Sequence, residues 1–552
     1  MYSFIPSFWK KITIFFCFLF IMAPRGIRGE SDSLRVICHV AMPWVIGNQV
    51  AEPLIYVDND NQFIPCLAES YQMNDTYTDM RLRKNVMFQD GTRFDASSVI
   101  MNWEIYRRTA KPYFTIDIRE GVEDMEAVSP YHIKIRFRNN GLIGLIPVYL
   151  RSFYIYSPSY FRHSGEIYPP GNQANMSEAG PWGTGPYMLK EISPEKGTAV
   201  LEKFPSYWQK GRPETKTIFM YGTRKYDSTA AHRLIKLGEA DLFDAVKPSM
   251  LHVILAQSPE IHMKVRHPLS YLTTLFNMRK ADSPLRDIRV RKALNLLIDR
   301  KTLFKYLSHE TGRMTPFIFP LSPEGLQPYP YDPETAGKLL HEAGYGQLSA
   351  ASDHLSLVTE QLPARSNGQR LRRELSRTTT DNGQNSLSIT IGYFISEEKL
   401  AYAIAAMLEE GGIRVKFQKY NTRYEWYQHV MEYGHTDENP MESETWDLNI
   451  VNTGLYTNSA ATHFGESFVS RGGYRWILPD SQADEMFFRA MRQRDPRAGE
   501  ALLKDMEKYL YSQYYMMPVY IQPTILAVHK RIAESSLSAS GYLLNLKEVS
   551  CR

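Results

Sequence analysis

Cysteine is scarce, with four in 552 residues. Cys17 lies inside an N-terminal apolar run. Cys38, Cys66 and Cys551 allow one disulfide with a thiol left over, Cys38–Cys66 being the shortest closure, or else three small buried side chains. No Cys/His spacing suits structural zinc. Long apolar runs are also lacking: the longest, Ile12 to Ala23 with only Thr13 interrupting it, is twelve residues, short of the ~20 that a membrane-spanning helix needs. Excess charge of one sign is missing too. Lys and Arg number 64 against 60 Asp and Glu. Residues 1–29 carry Lys10, Lys11, Arg25 and Arg28 and no acid, so the rest of the chain is balanced. That balance removes the electrostatic case for nucleic acid or an anionic membrane as partner. No internal repeat is visible. Nucleophile elbow, HExxH, phosphate-cradling glycine loop and paired catalytic carboxylates are all absent, which argues against an enzyme, a hydrolase included.

What is present begins with an export signal. Lys10 and Lys11, the apolar run, and the small residues Gly26 and Gly29 read as a secretory signal over residues 1–29. Arg25 and Arg28 leave a retained anchor as the alternative, and both mean export. Phe15 and Phe16 before Cys17 do not make a lipoprotein acceptor site, so a soluble periplasmic product is expected. At ~100–200 residues per domain, the length predicts two to four domains.

Beyond residue 30, strands and helices alternate. Leu34 to Val40 reads as a strand. Met80 and Leu82 alternate with Arg81 and Arg83, Asp90-Gly91 makes a turn, and Asp95 caps a helix to about Arg107. Residues 131–138 alternate as a strand with one wet face. Ser228 to Leu237 reads as a helix stopped by Gly238, before a strand from Asp241 to Val246. Asp287 caps a helix carrying Val290, Ala293, Leu294, Leu297 and Ile298 inward, with Arg289, Arg291 and Lys292 outward. Asp299 caps the next, and Asp332-Pro333 opens another that Gly344 closes. Residues 347–386 are polar and aperiodic, a surface insertion. Leu387–Tyr393, Glu398–Glu410 and Ile413–Phe417 form a β-α-β unit, which implies a parallel strand pair. Met506 to Gln513 predicts a late helix, and Met517 to Ile521 an extended return.

Leu67-Ala68-Glu69-Ser70-Tyr71 and the stretch from Met80 to Ala96 resemble the signature of the extracellular solute-binding proteins, family 5, of dipeptide, oligopeptide and nickel ABC importers. Further landmarks fall in family order: Ser157-Pro158, Gly183-Thr184-Gly185-Pro186-Tyr187, Tyr207-Trp208, Gly238-Glu239-Ala240-Asp241, Phe276-Asn277-Met278, Asp287 to Asp299, Ala343-Gly344-Tyr345 and Trp446-Asp447-Leu448. The resemblance implies an α/β, two-lobed periplasmic-binding-protein fold of type II, in the large peptide-binding class. Residues 30–274 would form lobe I, with an extra subdomain at about 70–180. Residues 275–517 would form lobe II, and 518–552 would return to lobe I. The hinge would lie near Leu275 to Met278 and Pro518 to Ile521. It implies a monomeric receptor that closes on a small-molecule ligand and hands it to ABC permease subunits, with no required cofactor. A sensor or chaperone role is the alternative.

In peptide-binding relatives an aspartate for the ligand ammonium follows the segment equivalent to Trp446-Asp447-Leu448. Here Asn449 to Ser459 contains no acid, which weakens the ordinary peptide reading. Leu150-Arg151-Ser152-Phe153-Tyr154 resembles the nickel branch, in which an arginine holds the carboxylates of a metal chelate. Arg151 fits that role, and a solvated strand-end charge is the competing reading. A bound nickel chelate is thus a candidate ligand. By the same resemblance Tyr456 and Asn458 belong to the cleft, and His39, Trp44, Tyr113, Phe114 and Trp182 are candidates for its aromatic wall, with core packing as the alternative for each aromatic. His463 is the candidate direct metal ligand.

Overall fold

The structure is a computed structural model. It describes residues 32–38, 42–57, 63–110, 118–138, 150, 153–169, 179–180, 182–193, 195–222, 233–243, 260–309, 312–317, 325–346, 386–421, 423–430, 444–454, 460–470, 476–493, 495–533 and 546–550.

The N-terminal half opens with strand β1 (Ser33–Cys38) and helix α1 (Met42–Val50). A four-stranded antiparallel sheet follows, in the order β2 (Ala68–Met73), β3 (Tyr77–Leu82), β5 (His132–Phe137), β4 (Val122–Ser129). Met80, Leu82, Ile133 and Ile135 point inward, toward the core shared with α2 (Ala96–Thr109), while Arg81, Lys134 and Arg136 take the wetter face. Asp95 caps α2 as its sequence predicts, accepting from the Ser97 and Ser98 amides in a reciprocal capping box. Strands β6 (Tyr187–Ser193), β7 (Thr198–Lys203), β8 (Thr217–Gly222) and β9 (Leu242–Phe243) complete this half.

The long strand β10 (Ile261–Phe276) leads into the second half. There α3 (Ile288–Leu296), α4 (Arg300–Leu307) and α5 (Pro333–Glu342) start at Asp287, Asp299 and Asp332, as expected. Strand β11 (Ser388–Phe394), helix α6 (Glu398–Glu410) and strand β12 (Arg414–Tyr420) form the predicted β-α-β unit, and β11 and β12 pair in parallel. After α7 (Arg423–Val430), β13 (Leu448–Gly454), α8 (Ala460–Ser467), α9 (Ser481–Met491) and α10 (Pro496–Ser512), strand β14 (Met516–His529) runs back to the first half.

One ten-stranded sheet joins everything, in the order β6-β7-β8-β1-β9-β14-β10-β13-β11-β12. Two large cores lie along it. The first includes Leu34, Met80, Trp103, Ile133, Leu201 and Ile218, and it is completed by Leu526, Val528, Leu546 and Val549 from the end of the chain. The second runs from Leu272 through Leu294, Ile404 and Trp446 to Ile521. Leu275 to Met278 and Val519 to Ile521 are buried in that second core. The β10/β14 pairing breaks twice: its register slips from Leu272–Tyr520 to Thr273–Pro518, passing over Val519, and jumps from Arg266–Thr524 to Leu269–Pro523, skipping His267 and Pro268. Proline has no N–H to give a ladder, so Pro268 and Pro523 weaken the pairing where one half gives way to the other.

Two sequence expectations need correction. Arg291 is buried, not outward: its Nε donates to the Gln513 carbonyl at 3.0 Å and its Nη1 to that of Leu285 at 2.8 Å, and the guanidinium lies over the Tyr515 ring. The late helix starts at Pro496, ten residues before Met506, because Asp495-Pro496 is a cap-and-proline start like Asp332-Pro333. Cys38 and Cys66 are both buried thiols.

Candidate functional site

Strand direction locates the site. Strand β10 runs from the first half to the second. β13 is antiparallel to it and β11 and β12 are parallel to β13, so these three end, at Gly454, Phe394 and Tyr420, on the side facing the first half. β9 is antiparallel to β14, with β1 and β8 parallel to β9, so these end at Phe243, Cys38 and Gly222 on the side facing the second half. Six carboxyl ends therefore converge on one gap. Phe243 pairs with Ala527, whereas Gly454 is level with Ser270 and Gln522, so the gap spans roughly 17 Å at about 3.3 Å per residue. Open α/β sheets take ligands beyond their strands' carboxyl ends, and this gap is the candidate site.

On the first half, helix α1 begins four residues after Cys38 and is fixed from behind. A Cβ on Gly183 would meet the Val50 carbonyl oxygen at 2.5 Å, and one on Gly185 would collide with that of Gln49. Gln89 Nε2 donates to the carbonyls of Val50 at 3.2 Å, Gly185 at 3.0 Å and Tyr187 at 2.7 Å. Just past α1, Glu52 is wholly buried. Its carboxylate accepts from Tyr207 Oη at 2.7 Å, Trp208 Nε1 at 2.8 Å and Thr184 Oγ1 at 3.0 Å. Burial raises the Glu52 pKa, and the Lys547 charge with these three donors opposes the rise. The Gly183-to-Tyr187 and Tyr207-Trp208 motifs are thus fasteners for α1.

On the second half, Tyr420 closes β12 with a buried hydroxyl that has no hydrogen-bond partner among the described residues. Burial first, then the nearby Glu444 and Glu425 carboxylates, push this phenol well above its ordinary value. Its ring stacks on His429, whose Nδ1 lies 3.0 Å from Glu444. Trp426 Nε1 donates to Asn449 Oδ1 at 2.9 Å. The Trp446-Asp447-Leu448 motif is a joint: Asp447 bonds Lys280 Nζ at 2.8 Å and the Thr390 amide at 2.8 Å.

Of the residues singled out in the sequence, Trp182 is buried in the first core. Its ring meets Tyr160 edge-on at 5.6 Å and His163 at 5.0 Å. Trp44 falls in α1, with its side chain outside the described residues. His39, Tyr113, Phe114, Arg151, Tyr456 and Asn458 also lie outside them. The strand ends that precede three of these in the chain are described: Cys38, before His39, and Gly454, before Tyr456 and Asn458, are the ends that lie at the gap. His463 is buried in α8. Among the described residues no cluster of three His, Cys, Asp or Glu side chains could hold a metal ion, and no helix is long and apolar enough to cross a membrane. Sequence reasoning missed Glu52, which carries no signal except its place before Pro53-Leu54.

The profile of "Bacterial extracellular solute-binding proteins, family 5 Middle" matches residues 62–474. The chain belongs to this family. It is 24% identical over 491 residues to the glutathione-binding protein GsiB of Salmonella paratyphi A (strain ATCC 9150 / SARB42), covering 87% of this chain and 84% of that one. It is 27% identical over 352 residues to the nickel-binding periplasmic protein of Escherichia coli (strain K12), covering 62% of each. Among solved structures it is similar to NikA from Brucella suis in complex with Fe(III)-EDTA, with a TM-score of 0.73, 20% identity, and coverage of 94% of this chain and 100% of that one. The fold is accordingly the two-lobed type II fold of solute-binding proteins, and the chain is a solute-binding component of an ABC importer.

Proposed function

We propose that this receptor works in the periplasm, as a monomer, and takes a small solute bearing several carboxylates, either a glutathione-like peptide or a metal chelate. The observation that carries this is the stretch from Asn449 to Ser459, which contains no acid and whose first part, to Gly454, forms the end of β13 at the gap. An ammonium buried against that stretch alone would go unpaired at a cost of several kcal/mol, so the single ammonium of a glutathione-like solute is met elsewhere, whereas its carboxylates suit the planar fork of Arg151. The relatives support it, since glutathione and Fe(III)-EDTA both carry carboxylates. Residues 1–29 act as the export signal. The lobes comprise 32–266 with 524–550, and 269–523, hinged at the broken register of β10 and β14. Solute contacts with both lobes favour a closed form, which the permease reads.

The test is calorimetry of the full chain with glutathione and with Fe(III)-EDTA, alongside small-angle scattering. Binding without turnover, a smaller radius of gyration in the bound state, and loss of binding in Arg151→Ala with an unchanged thermal midpoint are expected. Identical particle dimensions with and without a bound solute would overturn lobe closure, and unchanged affinity in Arg151→Ala would remove Arg151 from the site.

A further inference from the structure

Arg313 stands at the same gap, where no sequence motif pointed. Its backbone forms a reciprocal bridge with Ile521, the Arg313 amide donating to the Ile521 carbonyl at 3.0 Å and the Arg313 carbonyl accepting from the Ile521 amide at 2.8 Å. Ile521 pairs on its other side with Tyr271, which is level with Thr453, one residue before the end of β13. Arg313 therefore sits on the rim of the second lobe. It occupies the edge of β14 that β9 takes up six residues further on, at Ala527. The carboxyl ends of β9 and β1 thus face Arg313 across roughly 20 Å of strand.

The segment is held on both flanks. Gly312 turns into it at φ +100°, a conformation that suits glycine. Phe317 is wholly buried, stacked on Phe468 at 5.6 Å and edge-on to Phe464 at 5.9 Å, Phe464 lying on α8 and Phe468 just past its end. The Thr315 hydroxyl bonds the Phe317 carbonyl within this turn. The backbone is thus fixed while the Arg313 side chain is exposed, with no carboxylate in ion-pair reach among the described residues. Three nearby arginines of this lobe are used internally: Arg291 and Arg300 are buried on carbonyls and Arg289 is paired with Asp287.

We infer that Arg313 is the second lobe's carboxylate-binding residue, taking one carboxylate of the solute while the first lobe holds another. This rests on the proposed carboxylate-bearing solute and names the group that would make closure depend on it. A guanidinium fixed at the backbone keeps its fork free for a bidentate contact, at little ordering cost.

The test compares glutathione with its diethyl ester, by calorimetry on the full-length wild type, Arg313→Gln and Arg313→Lys. The wild type should prefer the acid. Arg313→Gln should bind the acid at least about tenfold more weakly, as loss of one charge-assisted pair implies, with ester affinity and thermal midpoint unchanged. Arg313→Lys should recover part of the loss. Equal weakening of acid and ester in Arg313→Gln would mean a packing role and overturn the inference. Wild-type acid affinity in Arg313→Gln, with binding lost in Arg151→Ala, would overturn it while leaving the receptor reading intact. A wild type that binds neither glutathione nor Fe(III)-EDTA would overturn both.

Discussion

Glu507 shows what a single side chain can contribute against stability. It is wholly buried on α10, one turn from Leu503 and Leu510, and neither carboxyl oxygen has a hydrogen-bond partner among the described residues. Burial pushes its pKa up to about 8, with Lys504 opposing only weakly. The folded state thus holds a proton there that the unfolded chain releases near its ordinary value of about 4.5. Stability should be greatest at or below that ordinary value and fall as pH rises toward 8. Glu507→Gln should match the wild type near about pH 5 and exceed it by on the order of 2–4 kcal/mol near about pH 8.5. Urea titrations at both pH values check this, and equal pH dependence in the two proteins would show that Glu507 is not the group responsible. Asp241 behaves oppositely. Burial alone would raise it, but hydrogen bonds from Arg531 and Arg35 outweigh burial and hold it below its usual value. The sequence announced the burial of neither residue, although Asp241 falls in a family landmark: a buried acid looks like a surface acid until the partners, 206 and 290 positions away for Asp241, are known.

At the scale of elements, local signals served well and distant ones did not. Asp95, Asp287, Asp299 and Asp332 cap helices as their contexts predict, because capping is settled within three or four residues. Arg291 was misplaced because its carbonyl partners include Gln513, on a segment 222 positions away. Of the site, the framing stretches Gly183 to Tyr187, Tyr207-Trp208 and Trp446-Asp447-Leu448 were legible as family motifs, whereas Arg313 was not, since its place depends on a bridge to Ile521. The grip on α1 yields a prediction. Gly185→Ala would force a methyl into the Gln49 carbonyl and should cost about 1–3 kcal/mol. A lowered thermal midpoint together with weaker glutathione binding would show that this fastening supports the site. An unchanged midpoint would mean that the helix shifts freely.

In the whole molecule, the two lobes are tied by a pair of strands whose pairing falters at Pro268 and Pro523. Replacing both, as Pro268→Ala with Pro523→Val, restores two N–H groups at the break in the pairing and should stiffen the crossing. Stopped-flow association of glutathione should then slow several-fold with no loss of thermal stability, and an unchanged rate would place the pivot elsewhere. The same strand pair makes the lobes unequal in order of assembly. The C-terminal residues Leu546 and Val549 sit in the first core, where Thr215 Oγ1 donates to the Val549 carbonyl at 3.0 Å. The lobe that begins the chain is therefore finished by its tail, while the other is built from one unbroken stretch. A polypeptide emerging amino end first can complete the later lobe before the earlier one. Its opening segments stay unfinished until the last turn of chain arrives, a delay that suits a protein threaded through a membrane before it folds.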